Sequence, residues 1–305
     1  MTAGLGSGAQ VLLDSVLTAP SMNLCRRDWL MLAWTLPGLA RAQATPHPTN
    51  VVAQQRRTPG GVAVLSLGAA PSRPKVETPQ GVPVLVLGDA ENWMAVLGIA
   101  LSAPVGESFV LVHHTGVAAR QVRYHVERHR YAEQRLTVAP GQVELSATDL
   151  ARHERERTHQ AQVIATFSQP WPDRLAMVAP TVGPRSSSFG LRRVFNGQPR
   201  APHSGMDIAA PVGSAVVAPT AGQVLDTGDY FFNGRTLWLD HGGGWLSMLC
   251  HLSVIDVAVG DRFAAGDRLA AVGATGRVTG PHLHWSVSLN RAMVDPALFL
   301  QLQRP

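Results

Sequence analysis

The sequence predicts a mainly β protein: an all-β C-terminal domain with an open groove, preceded by a small β-sandwich-like domain and a connecting helix. Three observations carry this. The chain holds 29 glycines and 22 prolines among 305 residues, and they fall between short apolar runs, the punctuation of tight turns between strands. Hydrophobic residues make up 45%, which suits a soluble, turn-rich β protein of two domains. One stretch, from Ser146 to about Thr166, is instead long, polar and charged, as an exposed helix is.

Taken in order, residues 1–44 read as an export leader. Arg26 and Arg27 precede an apolar stretch from Trp29 to Ala40, and Ala42-Gln43-Ala44 is a small-x-small cleavage signal. The arginine pair before Asp28, Trp29 and Leu30 also fits a twin-arginine signal. Residues 1–21 form a nearly uncharged extension, and Met22 offers a second start. Residues 45–60 are polar and proline-bearing, as in a flexible linker. Residues 61–145 hold six β-like runs: Val62 to Leu67, Val82 to Leu87, Trp93 to Leu101, Phe109 to Val112, Gln121 to Val126 and Gln134 to Val138. Short strands at that spacing suggest a small sandwich. Ser146 is a fitting cap for the helix of the 146–174 segment, whose charged face is expected to be solvated. That segment leads through Gln169-Pro170-Trp171-Pro172 into the C-terminal domain, residues 175–305.

The chemistry concentrates in that last domain. His203 and Asp207 stand as H-x-x-x-D, and His282 and His284 as H-x-H. With twelve histidines in the chain, chance supplies each pattern roughly half a time, so the surroundings must decide. From Leu283 on the residues read as a strand, whose period of two sends His282, His284 and Ser286 to one face and Leu283, Trp285 and Val287 to the other. Pro202, Gly205 and the following I-A-A-P argue against a helix at His203, so His203 is read as a loop residue and Asp207 as an early strand residue. A catalytic zinc ion takes three protein donors and leaves one position for water. His203, Asp207 and His284 supply such a set, with the bound water's pKa lowered toward about 7. His251, at the end of the apolar run Trp245 to Cys250, is a candidate second base.

With these residues in view, the segments S-S-S-F-G-L-R-R-V-F-N-G, P-H-S-G-M-D-I-A-A-P-V-G, L-D-H-G-G-G, C-H-L-S and G-R-V-T-G-P-H-L-H-W closely resemble the LytM/lysostaphin-type zinc metallo-endopeptidases, which cut peptide bonds in peptidoglycan. The resemblance covers about Ser186 to Leu300 and implies a duplicated hybrid motif fold and one Zn2+ per catalytic domain. It implies that His203, Asp207 and His284 bind the metal and that His251 and His282 are the two non-ligand histidines beside the attacking water. Arg192, at the F-G-x-R position, is implied in binding the acidic substrate peptide, with a structural ion pair as the alternative. Leu249 stands where the family often has tyrosine, which questions an aromatic contribution to the cleft wall. A weaker likeness, through Tyr131 to Val138, links residues 61–145 to the N-terminal β domain of proteobacterial periplasmic members, a domain that would position substrate, dock a partner or cover the cleft.

Other residues receive plainer readings. His241 is read as a turn residue or a support for other groups. His113 and His114 are adjacent, so a strand points them apart. Cys25 leaves with the leader and Cys250 is then alone, a small apolar strand residue. No apolar run reaches the roughly eighteen residues of a membrane helix, so no transmembrane anchor is expected after signal cleavage. The net charge of +5 suits an anionic envelope, and because the basic residues are scattered, nucleic acid is not an expected partner. Together these readings expect an exported, periplasmic enzyme acting on peptidoglycan stem peptides at direct crosslinks. Two rivals remain: a non-catalytic wall-binding activator of an amidase, and a zinc peptidase acting on proteins.

Overall fold

The computed structural model describes residues 54–114, 116, 118–137 and 145–301. The leader read in residues 1–44 lies outside the described residues. Among the latter no helix is long and apolar enough to cross a membrane.

The N-terminal part holds β1 (Val62–Gly68), β2 (Lys75–Glu77), β3 (Leu85–Asp89), β4 (Asn92–Gly98), β5 (Gly106–His113), β6 (Arg120–Val126) and β7 (Glu133–Leu136). Six strands form two antiparallel three-stranded sheets, ordered β1-β4-β3 and β2-β5-β6. They pack face to face through Ala63, Leu65, Val86, Ala95 and Leu97 on one sheet and Val76, Val110, Val112 and Val126 on the other, which is the expected sandwich. Strand β2 has three residues, too short for its alternation to show in the sequence.

Strand β1 explains why its sequence is apolar at both parities. Ala63 and Leu65 face the sandwich, while Val62 and Val64 join the core of the C-terminal part with Leu85, Leu87, Met94 and Val96. The β1-β4-β3 sheet is thus buried on both faces, and a strand in that setting reads as a continuous apolar run. Asn290 fastens the junction: its side chain accepts from the Gly98 N–H at 2.7 Å and donates to the Gly98 carbonyl at 3.2 Å. A Cβ at Gly98 would meet the Leu289 carbonyl at 2.6 Å, so the approach needs glycine.

Strand β7 leaves the sandwich and crosses to the C-terminal part. Helix α1 (Ala147–Ile164) follows, capped by Ser146, whose Oγ accepts the Asp149 N–H at 3.1 Å. Beyond it come β8 (Arg185–Ser187), β9 (Arg192–Phe195), β10 (Gln198–Pro199), β11 (Met206–Ala209), β12 (Ala215–Val217), β13 (Gly222–Tyr230), β14 (Gly234–Asp240), β15 (Trp245–Cys250), β16 (Leu252–Ile255), β17 (Arg262–Phe263), β18 (Arg268–Val272), β19 (His282–Leu289) and β20 (Ala292–Val294). The principal sheet runs β17-β13-β14-β15-β19-β11-β8, with β20 beside β19, and a smaller one runs β12-β18-β16. Trp285, Leu249, Leu237, Leu269 and Phe299 lie in the core that these share with β1-β4-β3.

Strand β9 turns back into β10 through Asn196 and Gly197, both at positive φ, the requirement of a two-residue hairpin loop. Its other edge takes β7 in parallel register, Glu133 opposite Arg192 and Leu136 opposite Phe195. The Tyr131 hydroxyl leads this crossing by donating to the Pro59 carbonyl at 2.7 Å. Gly190, at φ +78°, lies so close under the Tyr131 ring that a Cβ would overlap it. Residues 54–60 are also held, by Gln54 N–H to the Leu298 carbonyl at 3.0 Å and by the Arg56–Asp295 ion pair at 2.9 Å.

Candidate metal centre and cleft

Neighbouring strands β11 and β19 set the centre. Their antiparallel register puts Asp207 opposite His284 and Ala209 opposite His282, so cross-strand pairing alone brings the carboxylate to the second histidine of H-x-H. The alternation expected of β19 holds, with Leu283 and Trp285 fully buried and His282 and His284 partly accessible. His203 approaches from the loop before β11, its backbone N–H bonded to the Leu191 carbonyl at 3.0 Å. Gly205 lets that loop turn under the site, since a Cβ would come within 2.7 Å of the His284 ring and the Trp285 carbonyl.

Three atoms converge. His203 Nε2 stands 3.0 Å from His284 Nδ1 and 3.1 Å from Asp207 Oδ1, and His284 Nδ1 stands 2.9 Å from the same Oδ1. Two imidazole nitrogens and a carboxylate oxygen in a triangle this tight need positive charge between them, either a proton on a ring nitrogen or a metal cation. Donors held at about 2.0–2.2 Å around one tetrahedral ion take up comparable spacings, so the residues fit a metal. The nitrogens turned away from the triangle are tied down: His203 Nδ1 to the Ser188 carbonyl at 3.0 Å, and His284 Nε2 to Ser286 Oγ at 2.8 Å. Such outer bonds fix ring orientation and tautomer. Ser286 is two residues along β19 from His284, on the face the sequence assigned to it.

Electrostatics agree. Burial raises the pKa of the Asp207 carboxyl, but hydrogen bonds to His203 and His284 and the charge of those rings overcome it and hold the group well below the ordinary carboxylate range. Burial lowers the pKa of His284. Asp207 is therefore an anion and His284 a neutral donor, the forms a metal requires.

His251 and His282 flank the triangle. Their ring centroids lie 4.7 Å apart, and His282 Nε2 is 3.8 Å from Asp207 Oδ1. His282 Nδ1 lies 2.9 Å from the Gly280 carbonyl and His251 Nδ1 3.0 Å from the Thr275 carbonyl. A carbonyl only accepts, so in both rings Nδ1 carries the hydrogen and Nε2 is left as the base. Burial, followed by the nearby His284, lowers the pKa of His251 to about 4, which keeps it neutral at pH 7. His251 sits at φ +64°, uncommon for a residue with a side chain, at the corner where the chain leaves β15 for β16.

The cleft around these groups has a volume of about 650 Å³. Arg193, Phe232, Asn233 and Arg277 line it beside the histidines. Arg192 does not: it is exposed and points along the other parity of β9 from Arg193. Leu249, at the position that questioned an aromatic wall, is buried in the core, and Phe232 supplies a ring from a different strand end. Of the remaining residues, His241 is buried and bonded to Ser247 Oγ at 2.9 Å and the Ala221 carbonyl at 3.0 Å, His113 pairs with Glu77 at 3.2 Å, and Cys250 is fully buried. Among the described residues, His203, Asp207 and His284 are the grouping able to hold a metal.

Residues 201–296 match the model for peptidase family M23, and residues 55–129 match that for the M23 N-terminal domain. A crystal structure from Pseudomonas aeruginosa, described as a peptidase M23, is 42% identical, covers 80% of this chain and 95% of its own, and superposes with a TM-score of 0.68.

The chain belongs to peptidase family M23.

Within M23, it is 39% identical over 103 residues to the peptidoglycan DD-endopeptidase ShyA of Vibrio cholerae, covering 33% of this chain and 24% of that protein. It is 36% identical over 94 residues to the DD-carboxypeptidase/endopeptidase Mpg of Neisseria meningitidis, covering 31% and 22%. The matched stretch spans about a quarter of the length of these curated M23 relatives.

Proposed function

We propose that this M23 chain is a zinc-dependent endopeptidase that hydrolyses peptide crosslinks of peptidoglycan in the cell envelope, in the periplasm after export. The reading rests on one observation: three donor atoms about 3 Å apart at the floor of an open cleft, flanked by two histidines whose Nδ1 hydrogens are committed to backbone carbonyls. The chemistry of the M23 relatives named above supports the substrate class.

His203 through Nε2, His284 through Nδ1 and Asp207 through Oδ1 would hold the ion. When bound, zinc supplies Lewis acidity toward the scissile carbonyl and lowers the pKa of a water. The protein's own residues do the rest. His282 and His251 present Nε2 toward the site, so one takes a proton from water and the other gives one to the leaving amine. The cleft residues Arg193 and Arg277 favour an acidic stem peptide electrostatically.

Digestion of purified peptidoglycan, with muropeptides identified by mass spectrometry and casein as a control, tests this. Release of crosslink products that stops with a chelator and returns with zinc is expected. Cleavage that survives complete zinc removal overturns the metal assignment, and equal cleavage of casein overturns the substrate assignment. Inactivity alone but stimulation of an amidase overturns the enzymatic reading.

A further inference from the structure

The charged helix α1 has a second face. Among its less exposed positions are His153, Glu156, Gln160 and Val163, spaced so as to share one side. That side lies on the end of β13 and the turn leading to β14. Arg152 donates from Nη2 to the Asp229 carbonyl at 2.8 Å and from Nε to Glu156 Oε1 at 2.6 Å. Glu156, held by that pair, accepts the Phe231 N–H through Oε2 at 2.9 Å. The His153 ring meets Phe232 edge-on with centroids 4.8 Å apart, and the Asn233 amide lies 3.4 Å from Gln160 Oε1. His159 Nε2 and the Tyr230 hydroxyl both reach Asp226 Oδ2, at 3.1 and 2.6 Å.

The opposite side of this turn is the cleft. Phe232 and Asn233 line it. The Phe232 carbonyl accepts the Arg277 N–H at 3.0 Å, and the Asn233 carbonyl accepts the His251 N–H at 2.9 Å. That last bond holds the backbone of a histidine at φ +64°, a conformation that persists where its surroundings enforce it. An unbroken line of contacts therefore runs from Glu156, through residues 231–233, to the aromatic wall of the cleft and to the backbone of His251.

From this line we infer that Glu156 is a positioning residue: with Arg152 and His153 it sets the turn 229–233, and through it both the Phe232 wall and the placement of His251. The inference rests on the proposed hydrolytic function for its kinetic consequence, and on geometry alone for its structural one. The Glu156 carboxylate suits the task because it can accept two hydrogen bonds at once, one from Arg152 that fixes the side chain and one from the peptide N–H that it positions. Helix α1 is then the support of the substrate groove rather than a passive connector.

The test uses the full chain loaded with zinc, in the variants Glu156→Ala, Glu156→Gln, Phe232→Ala and the double variant Glu156→Ala/Phe232→Ala. Zinc stoichiometry is measured for each, with kcat and KM on a purified crosslinked muropeptide and amide hydrogen exchange across residues 226–234 and at His251. Glu156→Ala is expected to keep its zinc, to lose roughly tenfold or more in kcat/KM, and to raise exchange at Phe231 and His251 by a similar factor, as loss of one charged hydrogen bond allows. Glu156→Gln, whose amide oxygen still accepts the Phe231 N–H, is expected to recover most of both. The double variant should lose less than the product of the two single losses, because the Phe232 wall is one of the two routes through which Glu156 acts. Unchanged exchange in Glu156→Ala, or strictly additive kinetic losses, overturns the inference. A wild-type protein that cuts no muropeptide while Glu156→Ala still raises exchange refutes the hydrolytic reading and leaves the positioning intact.

Discussion

His241 offers a measurable link between burial and pH. Its ring is 6% exposed and donates from Nδ1 to the Ala221 carbonyl while Nε2 accepts from Ser247 Oγ. Both bonds suit the neutral form, and burial drives its pKa down to about 4. The unfolded chain titrates near 6.5. Above about pH 6.5 both states are neutral and the group's contribution to stability is fully present. As pH falls from about 6.5 to about 4 the unfolded state takes up a proton that the folded state refuses, and stability drops by about 1.4 kcal/mol per pH unit, about 3 kcal/mol in all. The perturbation is His241→Gln, which removes the titration. Urea unfolding of both proteins with a chelator present, at intervals from pH 7.5 to 4, gives the difference in unfolding free energy between them, in which the other titrating groups cancel. That difference should shift by about 3 kcal/mol against the wild type as the pH is lowered. A difference that stays constant across the range would refute the argument that His241 is held neutral by burial.

Three further outcomes are expected. His203→Ala and Asp207→Asn should lose bound zinc and activity together, whereas His282→Ala and His251→Ala should keep zinc and lose roughly a hundredfold or more in kcat; zinc analysis of the purified variants checks this, and stoichiometric loss in His282→Ala would make that residue a ligand. Asn290→Ala leaves the Gly98 amide and carbonyl without their partners and should cost about 1–3 kcal/mol, read in urea unfolding as a lower midpoint. The Cys250 thiol, fully buried and with its pKa raised by burial to about 12, should resist alkylation in the native protein and react after denaturation, as peptide mass spectrometry would show.

The legible features were those whose signal is local. H-x-H on a strand fixed a common face for His282 and His284 by period alone, and Ser146 marked the start of its helix. What could not be read depends on distant pairing. The Gln134 run alternates polar and apolar residues as a strand does, but its partner is β9, more than fifty positions on and parallel, and nothing local announces a parallel neighbour. Arg192 and Arg193 are adjacent, and which of them faces the cleft follows from the register of β9 with β7 and β10, since a one-residue slip exchanges the faces. The charges of α1 looked like a solvated face because the turn they grip, 229–233, is remote in sequence. Phe232 was invisible for the same reason: a ring in a turn has no period to betray what it lines.

The twofold burial of the β1-β4-β3 sheet has a practical consequence for anyone dissecting the molecule. A fragment beginning near Leu175 would carry the metal-site residues and the cleft histidines, without the α1 support, into solution with a greasy scar where Val62, Val64, Leu85 and Met94 had pressed, and exposed apolar surface of that kind invites self-association. Trimming the chain therefore calls for replacing the apolar side chains of that scar with polar ones, or for retaining the β1-β4-β3 sheet of residues 62–98 as a permanent cover.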